Sequence, residues 1–129
     1  MAIDAVESAE DYLERILMLE EAGKKEIHAV DLANSFGYSK ASISVALHKL
    51  EEKGYVALGL KSQLYLTPSG YEIARAVYTK HQIIGSWLTS IGVSEEQAYK
   101  DACRIEHVIS DESFEALRQV YEAKHHEKQ

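Results

Sequence analysis

Residues 31–47 read DLANSFGYSKASISVAL, and their spacing predicts two short helices meeting at a tight turn. From Ile27 to Phe36 the apolar positions Val30, Leu32, Ala33 and Phe36 recur at helical intervals, and Gly37 follows as a residue suited to the left-handed conformation that ends a helix. Ser39 can then accept a free backbone N–H of the next helix, in which Ile43, Ala46, Leu47 and Leu50 share a face before Gly54 stops it. Ala33 is small where the two helices cross, and Ile43 packs back against the first.

Upstream, Ser8 with Asp11 three residues on resembles a capping box, and Ala9, Tyr12, Leu13, Ile16 and Leu17 follow at helical spacing to about Glu21, with Gly23 as the stop. Downstream, Tyr55 to Leu60 and Gln63 to Thr67 are short β-prone runs around Lys61 and Ser62, a hairpin pattern. The order helix, helix, helix, strand, strand is that of a winged helix-turn-helix, whose second motif helix enters the DNA major groove. An ordinary small helical hairpin is the competing explanation of the segment. Thr67 and Pro68 then open a long helix to about Ile91, Ser94 opens another through about Ile109, and Ser110 a last one to about Ala123, before a frayed KHHEKQ tail. The expected fold is mainly α: a winged helix-turn-helix over residues 1–68, then an all-helical domain over 69–129, with the helix from Ser69 bridging the two.

The 129 residues are 46% hydrophobic and 27% charged, ordinary for a folded domain. One Cys excludes an intrachain disulfide, and no apolar run is long enough to span a bilayer. The acidic N-terminus lacks the pattern of a secretory signal, so a soluble cytoplasmic protein is expected. The net charge of −7 is uneven: residues 1–23 carry −6, residues 24–82 carry +3 and residues 83–129 carry −4. A phosphate backbone meets one face and not the average, so the middle segment is the candidate nucleic-acid surface.

Within that segment, Ser39, Lys40, Ala41, Ser42 and Ser44 are short or polar enough to approach base edges and phosphates, and Lys49, Lys53 and Lys61 can add phosphate contacts. No Arg lies between Arg15 and Arg75, so the bidentate guanine contact is absent or replaced by Lys40, and DNA shape carries much of the selectivity.

A second constellation is chemical. Cys103, Glu106 and His107 fall within one 100° sector of a helix, offering thiolate, carboxylate and imidazole to one divalent transition ion. An ordinary polar face with a stray Cys has the same pattern. Ala98, Ala102, Ile105 and Ile109 point elsewhere, toward a core. Asp11 and Glu14 pair at i and i+3 on the flank away from the apolar stripe, as ligands or as solvated acids. His81 lies on the apolar stripe of the long helix with Ile73, Val77, Ile84 and Leu88, as a ligand or a hydrogen-bonded core histidine. His125 and His126 in the tail can trap metal adventitiously.

Taken together, EDYLERILMLEE (10–21), DLANSFGYSKASISVALHKLEEKGYV (31–56), LYLTPSGYEIA (64–74), Lys80–His81, IGVSEE (91–96) and above all DACRIEHVISDE (101–112) resemble the diphtheria toxin repressor family of metal-dependent regulators. The short chain is similar to the manganese transport regulator branch. The resemblance implies metal ligands at Asp11, Glu14, His81, Cys103, Glu106 and His107. Asp11 and Glu14 match the manganese branch, whereas Cys103 matches the iron branch. Gly85 and Tyr99 stand where the iron branch places ancillary ligands, so that site is expected to be missing in its usual form. The wing tip KSQ (61–63) replaces a more basic, Gly-containing one.

The resemblance implies a homodimeric repressor of metal-ion homeostasis, activated by Mn(II) or Fe(II) and binding double-stranded palindromic operator DNA. Carboxylate and imidazole ligands suit Mn(II) or Fe(II), and one thiolate shifts preference toward Fe(II), Co(II) or Zn(II). A metal-free winged-helix regulator sensing oxidants through Cys103 is the alternative. No general base beyond the ligands and no Gly-rich substrate loop suggests an enzyme, and no membrane partner is expected.

Overall fold

The computed structural model describes the backbone of residues 5–127 and the side chains of residues 9–124. Six helices and one hairpin follow in order: α1 (Ala5–Glu21), α2 (Ala29–Phe36), α3 (Lys40–Glu52), β1 (Val56–Leu58), β2 (Leu64–Leu66), α4 (Pro68–Ser90), α5 (Glu95–Val108) and α6 (Asp111–Glu127). The chain forms two compact units, one through Tyr78 and one from Thr79, so the division falls within α4. The first contains the expected winged helix-turn-helix together with the start of α4, and the second is helical throughout.

Local chemistry sets most boundaries. Gly37 adopts φ 75° and its N–H bonds the Ala33 carbonyl, ending α2 in the left-handed form. The Ser39 hydroxyl accepts from the Ser42 N–H at 3.2 Å and caps α3. Thr67 Oγ1 accepts from the Gly70 N–H at 3.1 Å, and Pro68, lacking an N–H, loses nothing at the first position of α4. Ser94 and Ser110 cap α5 and α6 in the same way.

Three expectations are corrected. Helix α1 begins at Ala5, so Ser8 lies inside it, because Ala5 to Glu7 are compatible with helix. Helix α2 begins at Ala29, since the His28 N–H donates to the Asp31 carboxylate at 2.8 Å and fixes the start there. Helix α6 continues to Glu127, because neither Gly nor Pro interrupts residues 111–127. The side chains of Ser8, His125 and His126 lie outside the described residues.

In the first unit, Leu13, Ile16, Leu17, Leu32, Ile43 and Leu64 are buried completely or nearly so, joined by Leu47, Leu50, Val56 and Ala74. Each large aliphatic side chain there contributes about 1.5–3 kcal/mol by leaving water. The hairpin pairs Val56 with Leu66, Ala57 with Tyr65 and Leu58 with Leu64. In the second unit a smaller cluster forms from Ile84, Ala102 and Phe114, with Leu88, Ile105 and Ile109 around it.

Candidate metal centre and nucleic-acid interface

Helix α5 repeats a buried position every four residues: Ala98, Ala102 and Glu106 are 0%, 0% and 2% exposed. The sequence places the alanines away from the ligand face, but the structure makes the two overlap at Glu106, which stands where a core side chain would. A buried carboxylate is costly unless it is matched. Across from it on α4, His81 is also buried, with its Nδ1 3.1 Å from Glu106 Oε2. Cys103 Sγ lies 3.6 Å from the same His81 nitrogen. On the other side of the carboxylate, His107 Nε2 is 3.5 Å from Glu106 Oε1, and its side chain is 5% exposed.

One ligand atom from each of His81, Cys103 and Glu106 lies within 4.8 Å of the other two. Ligand atoms about 2.0–2.3 Å from a transition ion stand no more than roughly 4.6 Å apart, and the 3.1 Å and 3.6 Å separations from His81 Nδ1 to Glu106 and Cys103 lie inside that limit, so this nitrogen, oxygen and sulfur suit a shared divalent ion. Cys103 is exposed, which leaves that edge open.

Tyr99 fills the neighbouring space. A Cβ on Gly85 would lie 2.2 Å from Tyr99 Cε1, so only glycine leaves room for the ring. The ring centroid is 5.3 Å from that of His81, and its hydroxyl is 3.2 Å from Ser86 Oγ. Lys80 Nζ pairs with Asp111 at 3.3 Å and lies 5.8 Å from the Phe114 ring.

In the first unit, Asp11 is half-buried and Glu14 is 5% exposed, a correction to the solvated flank that their spacing suggests. The Tyr12 phenol beside them is held above its ordinary pKa of 10.0 by burial, and then by Tyr38 and Asp11.

Helix α3 buries Ile43, Leu47 and Leu50 and leaves Lys40, Ala41, Ser42, Ser44 and Lys49 exposed, as is Lys61 at the hairpin tip. Ser39 is exposed too, but its hydroxyl is committed to the cap. Residue-type reasoning missed Val45 and His48, which complete the exposed stripe Ala41, Ser44, Val45, His48 at i, i+3, i+4 and i+7. Projecting the helix opposite Ile43 and Leu47 would have found them. It also missed Arg15, whose guanidinium bonds Ser35 Oγ at 2.7 Å and lies 4.7 Å from the Phe36 ring centre, bracing α2 from α1. Lys24 is taken up by Asp31 at 3.3 Å.

Two family models match the chain. Residues 4–62 match the iron dependent repressor N-terminal DNA binding domain, and residues 67–127 match the iron dependent repressor metal binding and dimerisation domain. The HTH-type transcriptional regulator MJ0568 of Methanocaldococcus jannaschii is 33% identical over 113 residues, covering 87% of this chain and 90% of that protein. The HTH-type transcriptional regulator MntR of Geobacillus kaustophilus is 34% identical over 104 residues, covering 80% of this chain and 72% of its own. A solved structure of a manganese-dependent transcriptional repressor in complex with manganese superposes with a TM-score of 0.80 at 26% identity over 88% of this chain. The chain spans about half of that repressor's length, 52%. No helix among the described residues is long and apolar enough to cross a membrane. With a winged helix-turn-helix in its first unit and convergent His, Cys and Glu side chains in its second, the chain belongs to the iron dependent repressor family of metal-dependent, DNA-binding transcriptional regulators.

Proposed function

We propose that this chain is a cytoplasmic, homodimeric repressor that binds a palindromic operator when loaded with Mn(II) or Fe(II). The observation that carries this is the convergence of His81, Cys103 and Glu106 within the segment matched to metal binding and dimerisation. His107, Asp11 and Glu14 complete the ligand set. A bound divalent cation neutralises carboxylates that otherwise repel one another. Residues 1–68 read DNA through the exposed face of α3 and the hairpin tip, with Ser39, Lys40, Ala41, Ser42, Ser44, Lys49 and Lys61 as contacts, and residues 69–129 dimerise and carry four of the six metal ligands.

A palindrome demands two reading helices at one spacing, so ordering the dimer before it meets DNA removes a cost from binding. A coupling of about 1–3 kcal/mol corresponds to a change in affinity of roughly 5- to 150-fold. The single thiolate of Cys103 moves the preference from Mn(II) toward Fe(II), with Zn(II) or Co(II) able to substitute in vitro.

The deciding experiment is an anaerobic titration of apo-protein with Mn(II), Fe(II) and Zn(II), following binding to a palindromic duplex from its own promoter region at fixed salt. Activation by Mn(II) or Fe(II) is expected. Equal DNA binding with and without every metal would discard metal gating and favour oxidant sensing at Cys103.

A further inference from the structure

The tip of the hairpin carries an apolar side chain in the open: Leu60 is 89% exposed. Exposed leucines are common, but this one stands on a turn built at a conformational cost. Lys61 and Ser62, neither of them glycine, adopt φ 56° and 60° in succession. A Cβ disfavours that region by crowding the backbone carbonyl, and it persists only where surrounding structure enforces it.

The enforcement is visible on every side of the turn. The Gly59 N–H donates to the Gln63 carbonyl at 2.8 Å, and the Gln63 N–H donates to the Leu60 carbonyl at 3.1 Å. Tyr65 covers Gly59 so closely that a Cβ there would lie 2.4 Å from ring carbon Cε2. Gln63 Nε2 donates to the Lys25 carbonyl at 3.1 Å, and the Leu64 N–H donates to the Ile27 carbonyl at 2.7 Å, tying the hairpin to the loop after α1. Leu60 is therefore presented by a rigid prong.

Charge says what the prong meets. Residues 54–71 contain Lys61 and not one Asp or Glu, in a chain with 21 acidic residues. Lys61 is adjacent to Leu60 and exposed. Leu58 and Tyr65 of the same hairpin are 44% and 45% exposed, half the exposure of Leu60, so Leu60 is the side chain there most open to a partner. It matches an apolar wedge for DNA, since a minor groove about 6 Å wide admits one side chain and lysine can meet the phosphates beside it.

We propose that Leu60 inserts into the DNA minor groove beside the operator half-site, partly unstacking one base step, with Lys61 on the flanking phosphate. This rests on the DNA-binding function proposed above. It makes flexible pyrimidine–purine steps under the wing a source of selectivity that α3 does not supply.

The test uses the full chain loaded with whichever of Mn(II) or Fe(II) activates it in the titration above, and the promoter duplex with 2-aminopurine placed in turn at each step flanking the half-sites. Wild type is expected to raise 2-aminopurine fluorescence at one step in each half. Leu60→Ala should lose that signal and bind roughly 10- to 100-fold more weakly, with an unchanged salt slope because no charge is removed. Lys61→Ala should instead lower the slope by roughly 1. Leu60→Ala is expected to melt with wild type, as an exposed site predicts. Equal affinity and equal fluorescence for Leu60→Ala would overturn the wedge while leaving DNA binding standing. A loss of dimer in sedimentation with DNA contacts intact would assign the tip to a protein surface and overturn it equally. Failure of metal-loaded wild type to bind any promoter duplex would instead sink the DNA-binding function itself.

Discussion

Gly70 lies in the first turn of α4, where an added Cβ would sit 1.9 Å from the Tyr55 carbonyl oxygen. The neighbour is backbone, and the same carbonyl accepts from the Thr67 N–H at 3.1 Å, so it cannot step aside as a flexible side chain would. Gly70→Ala is expected to destabilise the fold by about 3 kcal/mol, read as a lower urea midpoint at constant slope. Glu20 behaves oppositely. Burial first, and then neighbouring Glu21, raise its carboxyl above the ordinary value of 4.5. The folded chain thus holds this proton more tightly than the unfolded one, so its contribution is fully present below pH 4.5 and is lost as pH rises through the higher folded value. Glu20→Gln should therefore melt higher than wild type at pH 7 and converge with it at pH 4. An equal difference at both pH values would contradict that assignment.

Among the elements, α3 shows how one helix divides its work. Its Ile43, Leu47 and Leu50 face closes the core, and the Ser39 cap fixes where the exposed face starts. Lys40, the first helical residue, is the only cation in the first two turns. Lys40→Ala should weaken DNA binding across unrelated sequences and reduce the salt slope by roughly 1 if the amine meets a phosphate. A loss confined to particular base pairs would show base readout in its place. In α5, small Ala98 and Ala102 allow close packing and Glu106 continues their stripe, so one helix face carries both packing residues and a candidate ligand.

For the whole molecule the proposed coupling has a thermodynamic consequence. If metal tightens operator binding by some factor, operator DNA must tighten metal binding by the same factor. His107→Ala should abolish metal-stimulated DNA binding while leaving the dimer intact, checked by anisotropy and sedimentation on one preparation. Unchanged activation by Mn(II) would remove His107 from the ligand set.

Helix order, caps and the hairpin were legible in the residues because their causes are local: a 3.6-residue periodicity, Ser39, Ser94 and Ser110 before helix starts, and Gly37 and Gly92 after helix ends. The ligand types of DACRIEH were equally open to reading, since Cys103, Glu106 and His107 lie within two turns of one helix. Residues far apart were a different matter. His81 meets Cys103 from 22 positions away and Glu106 from 25, and no periodicity reports that. Tyr99 over Gly85, Tyr65 over Gly59, the burial of Glu14 and the left-handed pair at the wing tip were likewise invisible. Each depends on which distant surfaces close on one another. By itself the sequence determined the elements and the chemistry they carry. Tertiary packing alone decided which candidate ligand side chains converge and which side chains stay exposed, because burial and close approach are properties of contacts between segments.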